Sequence, residues 1–588
     1  MGADVTATEG RRGPGADVAP FVFLGAMLLI VAAATGAWLA AAAGCALNGR
    51  GVGPAANPFV FAISLVRGSY HWPGGWATVI AVVEVVVVLV VASLAAWQLS
   101  RRGKRPKIDK AGRYLGKGRE ISKLNLRGAI AVAARLGMAS AKEFPGVFIG
   151  RSIPGGQSLF GSWEDMHVDI WGPRTGKTTR RAVPAILAAP GPVLATSNKR
   201  DIVDLTRGPR SKNGTVWVFD PQGRAKEKPT WWWNPLSYVT DVTTARTLGG
   251  HFAAGSAVTG AKTDAYFTPA GEDLLSWLLL AAAVDDQPIT QVYTWLTRPK
   301  DDEPVRILRA AGHIMPADSV AGTIAFPEKQ RGGIYGTALQ MASCLVNPAI
   351  HPWITPGRGP KRPEFKPAEF ALSKDTLYSL SREGKGSAGP LVTALTVAVV
   401  EAAEEAATDM RGGRLKVPML GVLDEAANVC RWTDLPDLYS HYGSRGIILM
   451  TILQSWDQGV EVWGEKGMSK LWSAANVRVY GGGVSDARFL GDLSQFAGMF
   501  EVDTFSTSSG GGGQGGGLFG GSTSHSHSTR SEQVLGISDL SSMPQGRALV
   551  QASGTPMVLV ETVPWWEGPH AEAVRASLAL YDPGEKAA

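Results

Sequence analysis

The stretch that most constrains this chain is Trp171-Gly172-Pro173-Arg174-Thr175-Gly176-Lys177-Thr178-Thr179. The residues before it, Met166-His167-Val168-Asp169-Ile170, read as a buried strand, and Thr179-Arg180-Arg181-Ala182-Val183 reads as the opening of a helix. Strand, glycine-bearing loop, Lys-Thr and helix is the layout of a phosphate-binding loop. Backbone N–H groups of the loop and of the helix start would face the phosphates. Gly176 allows close approach of the backbone. Lys177 supplies a point charge for the β- and γ-phosphates, and the Thr178 hydroxyl is a candidate Mg²⁺ ligand. The pattern departs from the usual one at its first position, where Trp171 replaces a glycine and Gly172 follows one residue later.

A second motif lies about 250 residues further on, in Pro418-Met419-Leu420-Gly421-Val422-Leu423-Asp424-Glu425. An apolar run ending in two acids is how a buried parallel strand delivers carboxylates to its C-terminal edge. Asp424 is the candidate holder of Mg²⁺ through water, and Glu425 the candidate general base for the attacking water. Together the two motifs point to a nucleoside triphosphatase. The next apolar run, Ile447-Ile448-Leu449-Met450-Thr451-Ile452-Leu453, ends in Gln454-Ser455. Gln454 at that edge reads either as a γ-phosphate sensor or as a helix cap. Arg445 precedes the same run, at the opposite edge of the sheet. It is out of reach of its own phosphates and reads as an arginine finger for a neighbour in a ring, or as a surface residue.

The net charge of +7 suggests DNA binding until it is located. Between Arg101 and Arg127 there are eleven Lys/Arg against two acids, a surplus of nine that leaves the remainder two units negative. Bulk charge therefore does not argue for nucleic acid. Residues 21–43 carry no charge and are long enough to span a bilayer. A second apolar span covers about 76–98, with Glu84 as its one charge. That acid is expected at a helix–helix contact or as a tolerated protonated side chain. Arg11 and Arg12 before the first span, and the basic cluster after the second, put both termini in the cytoplasm and the cluster near anionic inner-membrane lipids. Three scattered cysteines suggest neither a disulfide framework nor a zinc site.

These features divide the chain into a membrane anchor (1–100), a basic linker (101–145), a first motor segment (146–239), an all-helical insertion (240–365) and a second motor segment (366–588). Short apolar runs at 146–150, 192–196, 216–220 and 375–380 alternate with helical patterns, the signature of a doubly wound α/β sheet. Pro184 should kink the helix after the phosphate loop. Residues 508–530, rich in Gly and Ser, read as a flexible loop, with His525 and His527 as solvated loop residues. The runs 547–550 and 557–560 suit a closing hairpin.

In motif order and spacing the sequence after about 145 resembles the TraG/TraD family of type IV coupling proteins. The carriers are Gly172 to Thr178, Asp220-Pro221-Gln222-Gly223, Trp233-Asn234-Pro235-Leu236, Leu423-Asp424-Glu425-Ala426, Ile452-Leu453-Gln454-Ser455 and Leu493-Ser494, with Tyr378 and the helix from Gly389 in agreement. The resemblance implies a RecA-like P-loop motor with an inserted all-α domain, a hexameric ring, and ATP and Mg²⁺ as cofactors. It also implies delivery of a relaxase-bound DNA strand to a type IV secretion channel. Competing readings are an FtsK-like DNA translocase, a protein-export ATPase, and a substrate receptor with little ATPase activity. No C-terminal DNA-reading helical domain is visible, which weighs against the FtsK-like reading.

Overall fold

The computed structural model describes residues 19–49, 53–101, 106–257, 264–357, 359–384, 386–509 and 523–584. The chain forms two units, Met1–Arg105 and Pro106–Ala588. The first unit consists of helices Ala19–Asn48, Pro58–Val66 and Trp76–Arg101. Its two long helices touch through small residues: a Cβ placed on Gly44 would fall 2.3 Å from the Cβ of Ala77. One turn-pair away the Glu84 carboxylate rests on Gly36, 2.9 Å from where a Cβ would stand. Glu84 thus occupies a helix–helix contact, while the valines around it, such as Val82, Val83 and Val85, are exposed. Among the described residues, the helix Phe267–Val284 of the second unit is long and apolar enough to cross a membrane, but 56% of it is buried inside the protein. It is a core helix. The apolar stretches Val31–Leu47 and Trp76–Val91 of the first unit are shorter.

The second unit is built on one large mixed sheet. In chain order its strands are β1 (Val147–Ile153), β2 (Ser158–Gly161), β3 (His167–Ile170), β4 (Val193–Ser197), β5 (Val216–Phe219), β6 (Thr376–Leu380), β7 (Met419–Leu423) and β8 (Ile447–Leu453). They continue with β9 (Val477–Tyr480), β10 (Met499–Ser509), β11 (Thr523–Gln533), β12 (Arg547–Ala552) and β13 (Val558–Glu561). Eleven of them line up in the order β2-β1-β13-β12-β9-β3-β8-β7-β4-β6-β5. From β9 to β5 all neighbours are parallel. From β9 to β2 they are antiparallel, including the β12–β13 hairpin. The parallel strands are buried on both faces, which is why β8 reads Ile-Ile-Leu-Met-Thr-Ile-Leu without alternation. Between Val242 and Ala371 the described residues form helices and no named strand. Trp295 and Trp353 are buried in the core there.

Two expectations change. The tract read as a flexible loop at 508–530 is flanked by an antiparallel ribbon in which β10 pairs β11 from Met499↔Gln533 to Ser509↔Thr523. His525 and His527 therefore lie on a strand, and residues 510–522 fall outside the described residues. The Ser/Thr content that read as loop also suits a solvated two-stranded ribbon. The second change concerns Pro184. In place of a kink in an α-helix, Thr178–Ala182 forms a π turn that passes into the α-helix Val183–Ala188 with Pro184 in its first turn. A proline lacks the N–H that an interior turn requires, and the change of helix type absorbs that loss.

A buried ion pair fastens the helix after the phosphate loop to the sheet. Arg181 Nε donates to Asp169 Oδ2 of β3 at 2.5 Å, and its other nitrogens reach Phe148 O of β1 (2.8 Å) and His167 Nδ1 (2.7 Å). Both charged side chains are shut off from solvent. Burial pushes the Asp169 carboxyl up and Arg181 pulls it back, while burial, with Arg181 adding to it, holds His167 neutral. Removing one partner leaves the other charge uncompensated in the core, so Arg181→Ala should cost about 3–5 kcal/mol in denaturant unfolding. A loss under about 1 kcal/mol, the scale of an exposed pair, would show that this bolt does not hold the helix.

Candidate active site

Strands β3, β8 and β7 are adjacent and parallel, so their carboxyl ends open onto one edge of the sheet. In open α/β sheets that edge is where ligands sit. β3 leads into the loop from Trp171, β7 ends at Asp424-Glu425, and β8 ends at Gln454. Three motifs scattered over the sequence thereby meet at one place.

The loop holds its shape through its own groups and through a glycine run on β9's far side. Thr175 Oγ1 donates to Gly172 O at 2.6 Å, and Thr179 Oγ1 to Gly176 O at 3.2 Å. Gly176 sits at φ 95° and Arg174 at φ 60°, both in the left-handed region. Trp171, where the usual pattern has glycine, is fully buried, and its N–H donates to Leu453 O at 2.9 Å. The indole packs on Gly481, where a Cβ would come within 2.1 Å of the ring. Gly172 donates to Gly482 O at 2.9 Å, and a Cβ on it would stand 1.9 Å from Gly483 O. The loop thus accepts a tryptophan because Gly481 opposite the indole has no side chain, while Gly483 leaves room for Gly172 and Thr175. Sequence reasoning missed this triplet, although three consecutive glycines after a Val-Arg-Val-Tyr strand were the available signal.

At the open edge Lys177, Asp424, Glu425 and Gln454 come together. Lys177 Nζ pairs with Glu425 Oε1 and lies 3.2 Å from Asp424 Oδ1. Gln454 Nε2 donates to both Glu425 oxygens, at 2.7 Å each. Ser197 Oγ at the end of β4 donates to Asp424 Oδ2 at 3.4 Å. Asp424 is 3% and Glu425 2% exposed. Glu425 has left-handed backbone angles (φ 56°, ψ 42°), a strain of about 1–3 kcal/mol for a residue with a side chain. That conformation turns the chain sharply off β7 at the residue whose carboxylate meets Lys177 and Gln454. Gln454 does not cap the following helix; Ser455 does, accepting from Gln458 N.

Burial pushes the Asp424 carboxyl up to about 6, with Lys177 opposing and Glu425 adding to the rise. Burial also works against the Lys177 charge, but Asp424 and Glu425 outweigh it and hold the ammonium above its usual range. The donor set fits a Mg²⁺-nucleotide. Asp424 Oδ1 is buried and, beyond its ion pair with Lys177, has no hydrogen-bond partner. Gly172 to Gly176 give a backbone cradle, Lys177 the charge, and Thr178-Thr179 the start of the helix; Pro173 and Arg174 are exposed. Among the described residues no group of three or more His, Cys, Asp or Glu side chains is gathered to hold a metal ion, so the protein ligands for Mg²⁺ here are few.

Arg445 is not part of this cluster. It lies in the turn before β8, at the amino edge of the sheet. There its guanidinium pairs with Glu404 at 2.9 Å and donates to Thr408 Oγ1 at 2.8 Å, both on the helix Gly389–Thr408.

A carboxyl group near pKa 6 must lose its proton before it can hold a cation through water. Below about pH 6 the fraction of Asp424 carrying a proton rises. Mg²⁺-dependent nucleotide affinity should therefore fall roughly tenfold per pH unit below that point and level off above it. Nucleotide titrations from pH 5 to 7.5, with and without Mg²⁺, measure this. Asp424→Asn should remove both the Mg²⁺ dependence and its pH slope.

Comparison with known proteins agrees with this geometry. Residues 418–545 match the family described as the TraM recognition site of TraD and TraG. No curated protein sequence matches the chain. Among solved structures, the unbound monoclinic form of the bacterial conjugative coupling protein TrwB lacking its first 70 residues superposes with a TM-score of 0.50 at 16% identity, over 68% of this chain and 85% of that one. The plasmid coupling protein TrwB in complex with ADP and Mg²⁺ gives a TM-score of 0.50 at 15% identity, over 70% and 87%. These two likenesses establish the fold. The family match covers the segment that carries Asp424, Glu425 and Gln454.

Proposed function

We propose that this chain is a membrane-anchored ATPase that couples a relaxase–DNA substrate to a type IV secretion channel and drives DNA transfer. The observation that carries the reading is the meeting of Lys177, Asp424, Glu425 and Gln454 at the carboxyl edge of adjacent parallel strands. When bound there, Mg²⁺ neutralises charge on the β- and γ-phosphates. Lys177 exchanges its carboxylate partners for phosphate oxygens, which frees Glu425 to accept a proton from the attacking water. Gln454, released from Glu425 in the same step, is placed to orient that water or the γ-phosphate. The two apolar helices of the first unit serve as the anchor, with the basic segment that follows them on the cytoplasmic, anionic lipid surface. The helical region between β5 and β6 forms the inserted domain, and the ring is a hexamer.

Lys177→Ala should abolish ATP hydrolysis while leaving the fold intact, since the side chain lies in the open site. Glu425→Gln should bind ATP and hydrolyse it at least ~100-fold more slowly, the scale of a lost general base. Both are read by phosphate release from the detergent-solubilised protein, with and without single-stranded DNA. Stimulation by DNA separates a motor from a receptor, and unchanged turnover in Lys177→Ala would refute the site.

Arg445 is the proposed trans-acting finger. It must leave Glu404 and Thr408 to reach a neighbour's phosphates. Arg445→Ala subunits should bind nucleotide normally but fail to complete an adjacent site. Mixed with Lys177→Ala subunits they should recover part of the activity, because only mixed rings contain sites with both groups intact. Full activity of Arg445→Ala alone, or no rescue despite co-assembly, would leave Arg445 as a structural partner of Glu404.

A further inference from the structure

The geometry points to Asn428 and Glu383 as positioning residues for Glu425, a role that rests on the ATPase reading above. Asn428 follows Glu425 by one helical turn, and its Nδ2 donates to Glu425 Oε2 at 3.3 Å. The same nitrogen donates to Glu383 Oε1 at 3.2 Å. Glu383 stands beyond the end of β6, and its Oε1 also accepts from Asn198 Nδ2, just past β4, at 2.5 Å. The chain Glu425–Asn428–Glu383–Asn198 therefore ties together the carboxyl ends of the adjacent strands β7, β4 and β6.

The chemistry of the amide explains what this tie does. Asn428 faces two carboxylates, both acceptors, so it must present its NH₂ and not its carbonyl to them. Its two hydrogens then point in two fixed directions, one to each acid. Without Glu383 the amide is free to rotate or flip, and its hold on Glu425 loosens. The consequence appears during the reaction cycle. At rest Glu425 Oε1 is taken by Lys177 and Gln454, and Oε2 by Gln454 and Asn428. Phosphates draw Lys177 away, and Gln454 turns to the water or γ-phosphate. Asn428 is the donor that remains, on Oε2, and it leaves Oε1 directed at the water. A base held by one well-aimed hydrogen bond keeps the reach of its other oxygen, where a small misplacement is costly in rate.

Glu383 can be replaced without opening a hole in the core. It is exposed and lines a cavity of about 400 Å³ together with Asn428, Arg431 and Glu461. The test measures kcat, KM and nucleotide affinity for the full-length solubilised protein and for Asn428→Ala, Glu383→Ala and Glu383→Gln. Glu383→Ala and Asn428→Ala should lower kcat at least ~10-fold, the usual scale for losing a supporting partner of a reacting group, with nucleotide affinity within about 2-fold of the parent. Glu383→Gln keeps a carbonyl acceptor for Asn428 and should recover to within about 3-fold of the parent kcat. Parent-level kcat in Glu383→Ala overturns the inference. So does a joint fall of kcat and affinity in which Glu383→Gln is as impaired as Glu383→Ala, because a structural wedge behaves that way. Either result leaves the ATPase reading standing if Glu425→Gln is inactive. Absence of hydrolysis by the parent protein would instead remove the reading on which this inference depends.

Discussion

Two carboxylates buried side by side at the end of one strand require a cation, and much of this molecule can be understood from that demand. Asp424 and Glu425 are almost wholly shut off from solvent, yet they are consecutive residues just past the end of β7. Uncompensated, such a pair would cost several kcal/mol per charge. The protein answers with Lys177, carried in by the loop after β3, and with the Gln454 amide at the end of β8. β3, β8 and β7 are neighbours in the sheet and parallel, so all three ends converge there. A phosphate chain with its metal ion offers the same groups a better arrangement: a negative charge for the lysine and a positive charge for the acids.

Much of the parallel half of the sheet was legible in the sequence because doubly buried strands are long apolar runs with little ambiguity of period. β4, β5, β6, β7 and β8 all stand where such runs occur. The gathering of Lys177, Asp424, Glu425 and Gln454 was legible for the same reason, since each residue terminates or follows such a run. Harder to see were the short strands β2 and β9, with four residues each and no run to announce them. The ribbon β10–β11 was hidden by composition, because runs of Ser and Thr occur in loops as well as in strands.

The residues that sequence reasoning missed act through contacts between distant segments. Gly481 makes room for Trp171, which lies some three hundred residues earlier, and Gly483 for Gly172 and Thr175, so the unusual first position of the loop and these glycines are two halves of one packing solution. Arg181 reads in the sequence only as part of a helix opening, but it reaches Asp169 and His167 on the strand that precedes the loop. Gln222, noted only as part of a motif, accepts from Ser381 Oγ and from the N–H groups of Arg382 and Ala388, and so fixes the segment that bears Glu383. None of these pairings has a local pattern. Each becomes visible when the parallel crossovers bring the strand ends together.

The central claim is that Lys177 changes partners when nucleotide binds. A crystal structure with Mg²⁺ and a non-hydrolysable ATP analogue tests it most directly. The account predicts Lys177 Nζ on the β- and γ-phosphate oxygens, parted from Glu425, with Asp424 facing the metal ion through water. An analogue bound elsewhere, or bound here with Lys177 still paired to both carboxylates, would contradict it.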